Sequence, residues 1–143
     1  MAITQAVANS FKKEILEGIH DLESGGDVFK LALYKSTATL SAATTAYITG
    51  GEVSASGQYA AKGGTLASQQ TSLAASGVAI VDFADLSFTG VTLTARGALV
   101  YNSTEANKAV CVLDFGSDKT ATSGTFTIQF PAFTSSAAIL RIA

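Results

Sequence analysis

From residue 65 onward the chain alternates apolar and polar side chains in short runs broken by turn residues, and no second helical stripe interrupts them. A repeat of two sends successive side chains to opposite faces of an extended strand, so this pattern demands sheet. Candidate strands cover residues 65–73, 78–83, 86–88, 91–101, 109–115, 125–130 and 139–142. Turn residues at Ser76-Gly77, Thr89-Gly90, 102–108 and 116–124 separate them. In TFTIQF, Phe126, Ile128 and Phe130 share one face, and Pro131 follows where it removes no central ladder donor. Leu93, Ala95, Gly97 and Leu99 share another, the small pair marking a close approach. Closely spaced alternating strands predict an all-β fold, a β-sandwich of the jelly-roll type, and argue against a parallel βαβ arrangement.

The start of the chain has a different period. Ile3, Val7, Phe11 and Ile15 recur every four residues, widened by Leu16 and Ile19, which predicts one N-terminal α-helix capped by Thr4 and stopped by Gly18 and Gly25-Gly26. Residues 27–35 then alternate, with Phe29, Leu31 and Leu33 opposite Lys30, Ala32 and Tyr34. Residues 37–64 read as a long excursion anchored by Tyr47, Ile48, Val53 and Tyr59, or as one containing a short helix over 40–47. The expected organisation is a helical segment 1–24 and a β-sandwich 25–143 within one domain. The expected core contains Phe29, Leu31, Leu33, Leu93, Leu99, Phe126, Ile128 and Phe130.

Composition narrows the function classes. One His, one Cys and no Trp accompany a charged fraction of 14%, against about 25% in typical domains. Proton transfer and nucleophilic attack need clustered groups with tunable pKa, and here such groups are sparse. A net charge of -2 gives no basic face for nucleic acid, and Lys12-Lys13 is followed directly by Glu14 and Glu17. No basic-then-apolar leader and no apolar run of membrane length is visible, so cytoplasmic synthesis without a membrane anchor is expected. A mean hydropathy of +0.34 points to surface covered by partners, or to a value inflated by Ala.

Each reactive constellation has a plainer reading. Glu17 and His20 have the E-x-x-H spacing of di-metal bundles, but that chemistry takes ligands from four helices. Asp82 and Asp85 read as turn and strand-end caps, and Asp114 and Asp118 as loop residues around Gly116. Cys111 lies among apolar residues, as an inert buried thiol does. It forms with His20 the only possible Cys–His pair, and no G-x-S-x-G elbow is present. No catalytic, cofactor-binding or metal-binding residue is assigned, and no enzyme activity is expected.

Five stretches in order carry a resemblance: SFKKEILEGIHD (10–21), TTAYITGGEVSASGQYAAKGGTL (44–66), DFADLSF (82–88), TARGALVYN (94–102) and KAVCVLDFGSDK followed by GTFTIQFP (108–131). Together they resemble a family of small structural proteins of tailed-bacteriophage virions, most like capsid cement or decoration proteins. The resemblance implies a β-rich protein that clips onto the outside of the major capsid protein shell, in a virion assembled in the host cytoplasm. It implies no cofactor and no catalytic residue. A tail or fibre component is the alternative place in the virion, and a carbohydrate-binding β-sandwich a more distant one. Self-association as a dimer or trimer is expected. The candidate partner interface comprises Phe11, Ile15, Tyr47, Ile48 and Tyr59, because the helix stripe needs an apolar cover and tyrosines on a Gly-rich loop suit binding hot spots. Folding of the helix back onto its own sheets is the alternative cover for the stripe.

Overall fold

The computed structural model of the chain describes residues 2–143. Its elements are β1 (Ala6–Val7), α1 (Asn9–Leu16), β2 (Phe29–Tyr34), β3 (Gly64–Thr65), β4 (Gln70–Ala74), a 3-10 turn (Ala75–Gly77), β5 (Val78–Asp82), β6 (Leu86–Asn102), β7 (Lys108–Ile128) and β8 (Leu140–Ile142). One sheet has the order β1-β7-β6-β2-β3 and the other β4-β5-β8, with every pairing between these strands antiparallel. The fold is thus mostly β with one short helix. No helix among the described residues is long and apolar enough to cross a membrane.

The hairpin of β6 and β7 dominates, with strands of 17 and 21 residues. Leu93, Ala95, Leu99, Phe126 and Ile128 are buried, while Thr94, Thr120 and Thr127 face solvent. Hydroxyls pair across the exposed face, Ser87 with Thr127 and Thr94 with Thr120, each at 2.9 Å. The sequence predicts breaks at Thr89-Gly90 and over 116–124, and the ladder passes through both as bulges. Gly90 at φ +64° and Gly116 at φ +82° supply the backbone conformations that let the strands bend without separating. The largest irregularity sets Phe115, Gly116, Ser117 and Asp118 of β7 against Arg96 alone, between the pairs Ala95–Lys119 and Gly97–Asp114.

The N-terminus departs from expectation. Ala6 and Val7 pair with Val112 and Cys111, Ile3 bridges Leu40, and the helix starts only at Asn9. Ala8 stands at its N-cap with no side-chain bond, and the Thr4 N–H donates to Leu40 O, so Thr4 caps nothing. A four-residue spacing satisfies a repeat of two as well as a repeat of 3.6, so Ile3 and Val7 fit a strand equally well. The segment predicted over 65–73 is likewise divided. β3 pairs with Lys30 and Leu31, Ser68 turns at φ +54°, and β4 begins in the other sheet.

The core unites all these parts. Phe29, Leu31, Leu33, Ala32 and Tyr34 are completely inaccessible, because β2 is covered on both faces. Leu93, Leu99, Phe126 and Ile128 are buried as expected, and Phe130 is half-buried with its ring 6.2 Å from Phe83. Val81 and Leu140 of the smaller sheet join the same apolar cluster, as do Ile3, Ala8 and Phe11.

Candidate functional site

All four tyrosines of the chain gather around one carboxylate, Glu52, in the long excursion between β2 and β3. The Tyr59 hydroxyl donates to Glu52 Oε1 at 2.9 Å and accepts from the Leu33 N–H at 2.8 Å. The Tyr47 hydroxyl donates to Oε2, and the Lys62 N–H donates to Oε1 at 2.7 Å. Tyr34 and Tyr101 donate to the carbonyls of Ile48 and Lys62, each at 2.6 Å, and the Tyr47 and Tyr101 rings meet at a tilt with centroids 5.3 Å apart. The excursion is therefore braced at both ends. Its backbone also docks on β2, with the Val53 N–H on Leu33 O at 2.9 Å and the Lys35 N–H on Gly51 O at 2.8 Å.

Burial holds the phenols in their neutral form. It raises Tyr101 to about 12 and lifts Tyr34 and Tyr59 well above the usual value. Tyr47 is raised first by desolvation and then by its bond to Glu52. Three donors already occupy the two oxygens of Glu52. The arrangement is a clamp whose polar groups are consumed by holding the loop.

A second polar knot surrounds His20, whose side chain is completely buried. Asn102 Oδ1 accepts from the N–H groups of Thr104 and Glu105 at 3.0 and 3.2 Å, so the amide nitrogen faces inward. That nitrogen donates to Asp27 Oδ2 at 2.8 Å and to His20 Nδ1 at 3.0 Å. With Nδ1 accepting, Nε2–H donates to Glu14 Oε1 at 2.9 Å. The knot ties α1 and the following loop to the β6–β7 turn. Glu17 pairs instead with Lys13 at 2.7 Å, so the E-x-x-H spacing forms no pair. The hydrogen-bond partners of His20 are Glu14 and Asn102, not Cys111. Burial pushes the Cys111 thiol up to about 12. Among the described residues no group of three or more His, Cys, Asp or Glu is placed to hold a metal ion.

The five candidate interface residues differ in exposure. Phe11 is 4% exposed and Tyr59 1%, so both belong to this chain's own core; Ile15 and Tyr47 are half-buried, and Ile48 alone is exposed. The burial of Phe11 and Tyr59 has a simple cause. α1 packs on β7 and buries Phe11 in this chain's own core, leaving Leu16 of the same stripe 88% exposed, while the Tyr59 hydroxyl serves Leu33 as a strand neighbour would. Glu14, Asp27, Glu52 and Asn102 were not legible as partners. A trace of the first clamp does exist, since Glu52 is the single charged residue between Lys35 and Lys62, with Tyr47 and Tyr59 on either side.

Other features face outward as well. Leu73, Ala79 and Ile142 align across β4, β5 and β8, with Leu73 74% and Ile142 58% exposed. On β7, β1 covers only Cys111 and Val112, and no strand among the described residues pairs the outer side of Lys119–Ile128. The corresponding side of β6 is covered, because the Gln58 N–H donates to Thr89 O and Gln58 Oε1 accepts from the Thr89 N–H. Comparison with known protein families, with curated proteins and with solved structures gives no match.

Proposed function

We propose that this chain is a structural protein of a tailed-bacteriophage virion that binds the outside of the capsid shell and cements neighbouring capsomers. The observation that carries the non-catalytic part of this reading is how its buried polar groups are used. Glu52, the tyrosines, His20 and Asn102 are each tied up in bonds that hold loops to sheet. Among the features left facing outward, the β7 edge and the row Leu73, Ala79 and Ile142 suit contact with another protein. The resemblance of the five stretches between residues 10 and 131 supplies the place in the virion. A protein of this kind binds many times over on one lattice, so modest contacts per copy add up. In the same reading the two antiparallel sheets, sharing one apolar cluster, form a β-sandwich of the jelly-roll type.

The partner is then the major capsid protein, with self-association on the lattice as a dimer or trimer. Quantitative densitometry of purified particles tests the assignment. A copy number matching the capsid lattice supports it. A small multiple of three or six places the chain in the tail or fibre, and absence from particles removes the virion reading altogether.

A further inference from the structure

We propose that the open outer edge of β7 between Lys119 and Ile128, with the groove beside it, takes an extended acidic peptide segment of a partner protein as an added strand. The inference deepens the proposed function and rests on its claim that the chain works by binding another protein. Along an antiparallel strand every second residue turns both its N–H and its C=O away from its neighbour. On β7 those groups find no strand beyond Val112 among the described residues. Thr120, Thr122, Thr125 and Thr127 stand exposed along this edge. A row of alternating donors and acceptors is matched by another extended backbone.

The surroundings narrow the occupant. A groove of about 520 Å³ lies against the edge, walled by Phe115, Phe126 and Phe130 and rimmed by Gln5, Asp114 and Lys119. The four-residue bulge makes it, since it brings the Phe115 ring to 6.1 Å from Phe126. Asp114 is already engaged by Arg96 Nε at 3.2 Å and by the Gly116 N–H at 2.9 Å. Lys119 has no ionic partner among the described residues, so the groove's free charge is positive and an acidic residue complements it. Lys119 and the bulge at Ser123, where φ is +45°, discourage long flat pairing with another sheet edge. A short segment with apolar side chains toward the aromatic wall is what remains.

The probe is a capped synthetic peptide of about seven residues, a usual strand length, alternating Thr and Val with one central Glu. Its binding to the whole chain is followed by amide shifts in nitrogen-15 NMR spectra. Saturable binding is expected, with the largest shifts in 119–128. N-methylation of every second peptide nitrogen in one phase should weaken binding at least about tenfold, and in the other phase should matter little. Lys119→Glu, a change on an exposed side chain, should weaken the Glu peptide and favour a Lys peptide in its place. No saturation up to about 1 mM, equal binding by both N-methylated forms, or indifference to the charge swap overturns the proposal. So does a dimer held through this edge that the peptide fails to dissociate, which makes a second copy the occupant. These measurements need no particles, so they fail or succeed independently of the copy-number test.

Discussion

Replacing Tyr59 by Phe removes one oxygen atom that performs two tasks. The hydroxyl accepts from the Leu33 N–H at 2.8 Å and donates to Glu52 Oε1 at 2.9 Å. Leu33 and Tyr59 are 0% and 1% exposed, so no bulk water replaces the lost partner. An orphaned buried donor costs about 1–3 kcal/mol, and a hydrogen bond to a charged group contributes about 1.5–3 kcal/mol. The second figure is discounted because Glu52 is half-buried and keeps the Lys62 N–H and the Tyr47 hydroxyl. The expected destabilisation is about 2–4 kcal/mol. Urea unfolding should show it as a midpoint lowered by roughly 1–2 M at an m-value of about 2 kcal/mol/M. Tyr34→Phe removes only a donor to Ile48 O and should cost about 1 kcal/mol. A double-mutant cycle of Tyr59→Phe with Glu52→Gln should give a coupling of at least about 0.5 kcal/mol. A Tyr59→Phe loss below about 0.5 kcal/mol, or no coupling to Glu52, would refute the clamp as a support of the loop.

The raised tyrosines also set an alkaline limit. Unfolded phenols ionise near pH 10 while the native ones stay protonated, so their contribution is whole below that pH and is lost as pH rises toward and beyond 12. Between those limits the slope is about 1.4 kcal/mol per pH unit for each buried tyrosine that stays protonated while its unfolded counterpart is ionised. The tyrosinate ultraviolet band should therefore appear with unfolding, and its smooth growth near pH 10 in folded protein would contradict the burial. Gly63→Ala should destabilise strongly, because φ is +80° and a Cβ would sit 1.8 Å from Leu31 O, whereas Gly50→Ala meets open space and should be near neutral. Backbone strain alone contributes about 1–3 kcal/mol at Gly63, and thermal melts of the two variants compare them. Ile128→Ala, at a site 5% exposed, should cost roughly 2–5 kcal/mol in chemical denaturation. Cys111 should resist a thiol reagent in native buffer and react fully in denaturant, since burial raises its pKa to about 12.

The alternation in 86–88, 91–101, 109–115 and 125–130 by itself determined that these residues are strands and, for residues such as Leu93 and Phe126, which side chains face inward. Leu93, Leu99, Phe126 and Ile128 are buried where the repeat of two puts them. Hydrophobic period is a local property, and burial of one face enforces it wherever the strand ends up. Tertiary structure alone decided that four expected strands merge into two long ones, because a glycine looks the same in sequence whether it closes a turn or forms a bulge. It also decided the fate of the interface residues. Tyr59 in a Gly-rich stretch reads as a free anchor until β2 offers the Leu33 N–H as its partner. Phe11 reads as part of a stripe in need of an apolar cover, and only the packing of α1 on β7 shows that its cover lies within this chain. Contacts such as Asn102 with His20, and Tyr59 with Leu33, join residues far apart in the chain. Their chemistry was visible residue by residue, but their pairing existed only once the sheets brought them together.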